Sequence, residues 1–395
     1  MSLYEQLGVD PNKDSVRAIF NRIVDNEYPG AFVNIVTDPF NQNRVMTQHQ
    51  DGDGSKFIQR VLMYLEDDNY NPQIFKGMVD DAFSMNAGDI AAAGFVFGPW
   101  MMTDVINFGL SSHIKKDVML AVAERFYELR QLYEQHGFQI KFLGGETADL
   151  PDQVRTGVFD IAITAWANRR DLITGNVRPG DAIFGFASDG QAAWEEEENS
   201  GLMSNGLTLA RSILMSAEYN ALPNLKREGN FYAGNMRPKH SSNLLKGMAV
   251  GKALTSPTRQ WAIVIRKIME GLKARRALHL LHGITMNTGG GATKIRHLGQ
   301  GGILYYKEMP FAPPLFHLIQ TRSQEKWRGM YQTFNCGIGI DVIGKDVPLF
   351  REILLSVSEE CQIVLHRLGE CRPQREGKED NSVLIYSTHG VWEYQ

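Results

Sequence analysis

The residues best suited to chemistry lie in the stretch Leu143-Gly144-Gly145-Glu146-Thr147-Ala148-Asp149-Leu150-Pro151. It follows an apolar run, Phe138 to Leu143, that reads as a buried strand. The two glycines lack a Cβ, so the backbone there can turn or approach a bulky group. Glu146, Thr147 and Asp149 then supply an acid, a hydroxyl and a second acid. A carboxylate at a strand end beside bare backbone suits a divalent cation and the phosphates it neutralises.

Asp51-Gly52-Asp53-Gly54-Ser55-Lys56 is a second candidate. Its glycines expose N–H groups to an anion, Lys56 can meet a phosphate and Asp51 can hold a cation. A polar β-turn explains the segment equally well. Asp89 is a third, alone among small and apolar residues from Asn86 to Gly94 that read as a buried helix. Burying a lone carboxylate is costly unless it is paired or metal-bound. A cation is one partner, and a salt bridge or helix cap is the other. Asn205, in Ser204-Asn205-Gly206, reads first as a helix N-cap, with any site role added to that. Thr288-Gly289-Gly290-Gly291-Ala292-Thr293 is either a flexible turn or bare N–H groups at a helix N-terminus, which attract phosphate.

Several chemistries are excluded. G-x-x-x-x-G-K-[ST] is absent, and Asp51 does not open an EF-hand because loop position 12 is Leu62. No G-x-G-x-x-G follows a strand, and there is no G-x-S-x-G elbow. The 10 histidines include no H-x-x-x-H pair. The 3 cysteines, Cys336, Cys361 and Cys371, fit no zinc spacing and read as reduced structural thiols. A net charge of −4 argues against a nucleic-acid binder. The polar stretch Met1 to Asp14 is not a signal peptide, and no run is long enough for a membrane span. A cytoplasmic protein is expected.

Positioning these residues falls to alternating helices and strands. Val118 to His136 carries apolar residues at helical spacing and stops before Gly137. Val158 to Ala167 reads as a strand, and the polar stretch Asn168 to Asp181 as the domain boundary. This divides the 395 residues into 1–175 and 176–395. In the second part, Ala182–Ala187 and Phe334–Val342 read as strands. Gly206–Glu218, Lys267–His282 and Pro348–Leu368 read as helices. Trp194 to Ser200, with four consecutive glutamates, reads as a solvated loop. The class is α/β (α+β) with two domains.

In order, the segments resemble the aminoimidazole ribonucleotide synthetase (phosphoribosylformylglycinamidine cyclo-ligase) family. D-G-x-G-[ST]-K is met by Asp51 to Lys56, the buried-helix aspartate by Asp89, and G-G-E-T-A-[DE]-x-P by Gly144 to Pro151. S-N-G is met by Ser204 to Gly206, and L-x-x-P-T-R by Leu254, Pro257, Thr258 and Arg259. T-G-G-G is met by Thr288 to Gly291, and Y-x-T-F-N-C-G-x-G by Tyr331, Thr333 to Gly337 and Gly339. The resemblance implies an N-terminal ATP-binding domain whose sheet is shared across a homodimer, and a C-terminal domain covering the site. It implies ATP and Mg2+ as cofactors and a phosphorylated ribonucleotide as substrate. ATP would phosphorylate the formyl oxygen of formylglycinamidine ribonucleotide, and the substrate's amine would then close the imidazole ring. By the same resemblance Asp51, Asp89 and Glu146 would surround the metal. Gly52, Gly54, Ser55, Lys56 and Thr147 would contact the nucleotide. Asn205 and the loop with Gly289 and Gly290 would serve the substrate side or order the cleft, Gly289 and Gly290 being counted with Asp51 among the cofactor-binding residues, and Asp89, Glu146 and Asn205 would be catalytic. The sequence departs from the pattern at Met203 and Met286, where the family carries histidine. A small-molecule kinase or dehydratase of the same superfamily, and an inactive nucleotide-binding paralogue, are the alternatives.

Overall fold

A computed structural model describes residues 3–9, 16, 19–20, 22–222, 225 and 231–395. Of the N-terminal stretch read for a leader, residues 1, 2 and 10–14 lie outside the described residues.

After the short helix α1 (Leu3–Gln6) come β1 (Val36–Asp38), β2 (Asn41–Gly52), α2 (Lys56–Leu65), α3 (Lys76–Ala92), β3 (Pro99–Phe108), α4 (Ser112–Gln135), β4 (Gln139–Asp149) and β5 (Gly157–Asn168). Their strands form one sheet in the order β1-β2-β5-β3-β4, with β3 and β4 parallel and the other pairs antiparallel. In β5, Phe159, Ile161, Ile163, Ala165 and Ala167 are buried while the alternate residues are not, the period of a strand with one covered face. α3 and α4 cover that face. α4 begins before the expected Val118 and stops ahead of Gly137, whose φ of +81° supplies the left-handed turn. α3 is buried on nearly all sides because its small residues fit between the sheet and a helix of the second half.

The second half contains β6 (Asp181–Ala187), a small ribbon of β7 (Asp189–Gly190) and β8 (Asn199–Ser200), α5 (Leu207–Leu214), α6 (Val250–Thr255), α7 (Trp261–Ala274), β9 (Leu281–Met286), β10 (Ile303–Glu308), α8 (Pro314–Ser323), α9 (Trp327–Thr333), β11 (Ile338–Lys345), α10 (Pro348–Cys361), β12 (Leu365–Pro373), β13 (Ser382–Ser387) and β14 (Gly390–Tyr394). Its sheet runs β14-β13-β10-β12-β6-β11-β9. β6 lies centrally and all of its residues are buried.

Three expected helices differ from those found. α7 starts at Trp261 and ends at Ala274, and Leu281 and His282 open β9 instead of closing a helix. α10 ends at Cys361, where Gln362 takes a left-handed φ of +56°, and the chain turns into β12. α5 is shorter than Gly206–Glu218 because Met215 leaves helical geometry. The expected strand at 334–342 begins later, at Ile338, since Cys336 and Gly337 both have positive φ.

Candidate active site between the two halves

Three of the motifs meet at the seam between the halves, around a residue that none of them contains. Asp81, on α3, is fully buried. Its carboxylate accepts from Lys56 Nζ (2.8 Å), Arg60 Nη2 (2.7 Å), Thr258 N (2.8 Å) and Thr258 Oγ1 (2.6 Å), with Ser204 Oγ at 3.4 Å. Burial alone would raise its pKa, but Lys56 and Arg60 hold it below the ordinary carboxylate value. Lys56 also donates to the carbonyls of Ser256 (2.6 Å) and Leu202 (3.3 Å), and Arg60 to that of Thr255 (3.1 Å). One carboxylate thus ties D-G-D-G-S-K to S-N-G and L-x-x-P-T-R.

This revises the expectation for Lys56. Its side chain is fully buried and its ammonium is committed to Asp81 and two carbonyls, so it faces the other half of the chain and not an open surface. The sequence signal for Asp81 was present: Asp80 and Asp81 are acids inside an otherwise apolar helix, the same observation that singled out Asp89.

A second junction forms at Thr333-Phe334-Asn335. Asn205 donates to the Thr333 carbonyl. Asn205 is therefore not the helix cap; Gly206 is, with φ +77°. A Cβ at Gly206 would lie 2.2 Å from the Phe334 ring. Ala292 N donates to Phe334 O (3.1 Å), so the turn carrying Gly289 and Gly290 is held here too. Gly289 (φ +55°) and Gly290 (φ +120°) open a short 3-10 turn beside Lys294. Asn335 donates to Ser188 Oγ (2.7 Å) and Gly201 O (3.0 Å). Ser55 Oγ meets Thr208 Oγ1 at 3.2 Å across the seam.

The three acids expected around one cation are not brought together within one chain. Asp51 and Asp89 share a neighbourhood. Asn86, one turn before Asp89, donates to Asp51 O (2.9 Å) and Ala82 O (2.8 Å), and its Oδ1 meets His49 Nδ1 at 2.9 Å. His49 Nε2 stands 3.4 Å from Asp89 Oδ2. Burial would depress the His49 pKa, but Asp89 and Asn86 outweigh it and lift the value to about 9. Asp89 is 9% exposed, and its Oδ1 has no hydrogen-bond partner among the described residues. Glu146 lies elsewhere. Asp51 pairs with Ile161 and Glu146 with Val105, across the order β2-β5-β3-β4. Three inter-strand spacings of about 4.8 Å separate β2 from β4, roughly 14 Å. The faces differ as well. Cross-strand partners share a face, so Asp51 lies with buried Ile161 on the helix-covered side and Glu146 with Val105 and Asp160 on the other. A bulge causes this: Met102 pairs with Phe142 but Asp104 pairs with Gly145, and Gly144 takes φ +95°. Thr147 pairs with Ile106 on the covered side. No group of three or more metal-ligating side chains occurs among the described residues.

Asp53, the variable residue of D-G-x-G-S-K, is buried with neither carboxylate oxygen partnered among the described residues. Burial drives its pKa well above the ordinary carboxylate value, against the opposing pull of Arg60 and Lys56. The glutamate run is only partly solvated: Glu195 pairs bidentately with buried Arg259 (2.8 Å to both Nε and Nη2), while residues 196–198 are exposed. A cavity of about 510 Å³ adjoins the seam, lined by Arg60, Lys76, Arg125, Trp194, Thr258 and Arg259 among others, but by none of the expected site residues. The three thiols are buried and unpaired with one another, and burial raises all of their pKa values, Cys361 to about 12, as expected for structural cysteines.

No family model matches the chain. Curated relatives do match. The phosphoribosylformylglycinamidine cyclo-ligase of Methanococcus vannielii is 26% identical over 324 residues, 81% of this chain and 76% of that one. The cyclo-ligase of Methanopyrus kandleri is 33% identical over 208 residues, covering 51% and 49% of the two chains. That of Desulfitobacterium hafniense is 31% identical over 243 residues, covering 60% and 59%. The family read from the motifs is the family of these relatives. Among solved structures, phosphoribosylformylglycinamidine synthase II from Thermotoga maritima superposes on 99% of this chain, using 50% of its own, with TM-score 0.53 at 11% identity. Thiamine-monophosphate kinase from Stenotrophomonas maltophilia covers 96% of both chains with TM-score 0.51 at 14% identity. Hydrogenase maturation protein HypE in complex with ATP covers 96% of this chain and 94% of its own, with TM-score 0.50 at 14% identity. At these identities the likeness establishes a shared two-sheet fold. No helix among the described residues is long and apolar enough to cross a membrane.

Proposed function

We propose that the chain cyclises formylglycinamidine ribonucleotide to aminoimidazole ribonucleotide at the expense of ATP, as a ligase of purine synthesis. The observation that carries this is convergence. Segments around residues 51–56, 204–206, 257–259, 288–292 and 333–335, far apart in sequence, are bonded to one another through Asp81 and the 333–335 junction. The curated relatives bear the cyclo-ligase name. An amide-type oxygen leaves only once phosphorylated, and that transfer depends on charge neutralisation and positioning, not on a protein nucleophile.

In this reading ATP sits over the backbone of Gly52 and Gly54, beside Ser55. A divalent cation fits Asp51 and Asp89: the donors are oxygens, and Asp89 Oδ1 is buried without a partner among the described residues. Magnesium, when bound, neutralises the triphosphate. Asp51 and Asp89 orient it, and Lys56 holds the two halves in register. Asn205 and the Gly289–Gly290 turn order the substrate side. Glu146 joins a site only through a second copy. The sheet face that bears it is uncovered by helices, with Val158 43% and Leu143 64% exposed, which favours a homodimer built on that face.

The test is turnover: purified protein with ATP, Mg2+ and formylglycinamidine ribonucleotide should give aminoimidazole ribonucleotide and ADP. Asp89→Asn should abolish the product while keeping the fold, since charge is lost with little change in volume. ATP binding without any ring product would favour the inactive paralogue. One observation speaks for that second reading: Met286, at a position where the family carries histidine, is fully buried, and its Sδ would lie 2.3 Å from a Cβ at Gly88.

A further inference from the structure

The cavity of about 510 Å³ beside the seam has the size of a small-molecule site, a class that spans about 300–1,000 Å³. Two side chains on its wall carry N–H groups with no hydrogen-bond partner among the described residues, Arg60 Nη1 and Trp194 Nε1. Both nitrogens are buried, and Arg60 as a whole is 1% exposed, so bulk water does not satisfy them. Guanidinium and indole N–H groups can only donate. Leaving such a donor without an acceptor in a protein interior is costly. An occupant that relieves both must present acceptor oxygens.

The charges on the wall sort by depth. Asp80 and Glu128 are paired with Arg125 and Lys76, Glu195 with Arg259, and Glu197 with Lys252. At the buried end, Arg60 and Lys56 both bond the single carboxylate of Asp81. Asp53 lies close enough to feel Arg60, yet neither of its oxygens is bonded. At the open end, Glu196 and Glu198 are exposed and form no ion pair among the described residues. The cavity is therefore donor-rich and cationic inside and acidic at its mouth. A simple anion would be repelled at the glutamates, and a simple cation would bring nothing to Arg60. A molecule with a carboxylate at one end and an ammonium at the other matches both ends.

We propose that this cavity binds a small zwitterion of the amino-acid class, its carboxylate accepting from Arg60 Nη1 and Trp194 Nε1 and its ammonium facing Glu196 and Glu198. The site is separate from the one described above, because no residue assigned there to ATP or the cation lines it. It is nevertheless joined to the seam. Arg60 donates to Asp81 through Nη2, and Thr258, also on the cavity wall, bonds Asp81 through N and Oγ1. Both halves supply the wall, Arg60 to Glu128 from the first and Trp194 to Gln260 from the second. An occupant therefore bridges the halves and stabilises their docked arrangement by mass action. Any effect on turnover rests on the function proposed above; the binding site does not.

The probes share one carbon skeleton: L-2-aminobutanoate, 4-aminobutanoate, butanoate and butylamine, each titrated into the full chain and followed by saturation-transfer NMR and thermal melts. At least one of the two zwitterions should bind with Kd of about 1 mM or below, at least about tenfold more tightly than butanoate or butylamine, and should raise the melting temperature. A non-hydrolysable ATP analogue should not displace it. Trp194→Phe keeps a ring against His136 and removes only the N–H; it should weaken the zwitterion at least about fivefold. Replacing Glu196 and Glu198 together by Gln should weaken the zwitterion without weakening butanoate. Melts without ligand show whether the variants are folded, and the comparison of the four probes on the wild type is independent of them. Absence of zwitterion binding at about 10 mM, equal binding of butanoate, displacement by the ATP analogue, or unchanged affinity in folded Trp194→Phe each overturns the proposal. If the zwitterion binds as expected but the protein neither binds ATP nor closes the ring, the cavity site stands and the cyclo-ligase reading falls.

Discussion

Replacing Asp81 by Asn tests the idea that one carboxylate locks the two halves together. The substitution keeps volume and one acceptor but removes the charge that Lys56 and Arg60 share inside the seam. Those cations are 0% and 1% exposed, so water cannot take over. Breaking a buried ion pair by removing one partner costs about 3–5 kcal/mol, against a total stability of about 5–15 kcal/mol. The pH dependence gives a second readout. Asp81 has a folded pKa below its ordinary value, held there by Lys56 and Arg60 against burial. A depressed carboxylate contributes stability above its unfolded pKa of about 3.9 and loses it as pH falls through the folded value. The gap between wild type and Asp81→Asn should be complete at neutral pH and should close below about pH 4. Urea unfolding followed by tryptophan fluorescence measures both, with Trp100 and Trp261 buried in opposite halves as reporters. Adding Lys56→Met removes one stranded ammonium. The double variant should recover part of the loss, with a coupling energy of about 0.5–3 kcal/mol. A single-variant cost below about 1 kcal/mol, the level of an exposed pair, would refute the lock, as would a gap that persists unchanged in acid.

Gly175→Ala should destabilise the fold by more than ~2 kcal/mol, because Gly175 has φ +70° and a Cβ there would stand 1.8 Å from Gly30 O; an unchanged melting temperature would contradict this. Leu143→Glu places a charge on an uncovered sheet face where Leu143 is 64% exposed. It should leave the monomer fold intact and abolish dimerisation in sedimentation at micromolar concentration, and a persistent dimer would move the interface elsewhere. The rings of His317 and His389 lie 5.4 Å apart in an aromatic nest with Trp327, and burial lowers the pKa of both. The unfolded chain then takes up these protons at higher pH than the folded one, so stability should drop as pH falls from about 7 towards about 5. His317→Gln should flatten that slope, and an identical slope in the variant would exclude the pair as its origin.

Local pattern made the elements legible. The apolar spacing from Val118 onwards placed α4, and the β-branched and aromatic run at 158–167 placed β5, because each side chain reports its own burial. Boundaries near left-handed residues were harder. Gln362 and Cys336 take positive φ without being glycine, so nothing in their identity announces the turn. The motifs were legible as groups, yet the role of Lys56 was not: a lysine beside two glycines looks like a phosphate ligand until its partners across the seam are visible. Asp81 could have been found by applying the burial argument to both halves of the Asp80-Asp81 pair, since a charge inside an apolar helix must be answered by opposite charges elsewhere in the fold.

Glu146 shows where reading by motif has a physical limit. In a strand, the side of the sheet a residue faces is decided by parity, and one extra residue reverses it for everything that follows. Gly144 supplies that residue in β4, so Phe142 stacks on Phe126 of α4 at 5.0 Å while Glu146, an even number of positions on, faces away from the helices. The same glycine pair that made the stretch look like a metal site is what turns its acid from the side where Asp51 and Asp89 meet. In this chain the bulge at Gly144 assigns Glu146 to the uncovered face. For an acid held on a sheet face with exposed Leu143 and Val158 to take the part proposed for it, that face would have to meet another copy of the chain, so the proposed role of Glu146 and the proposed homodimer stand or fall together.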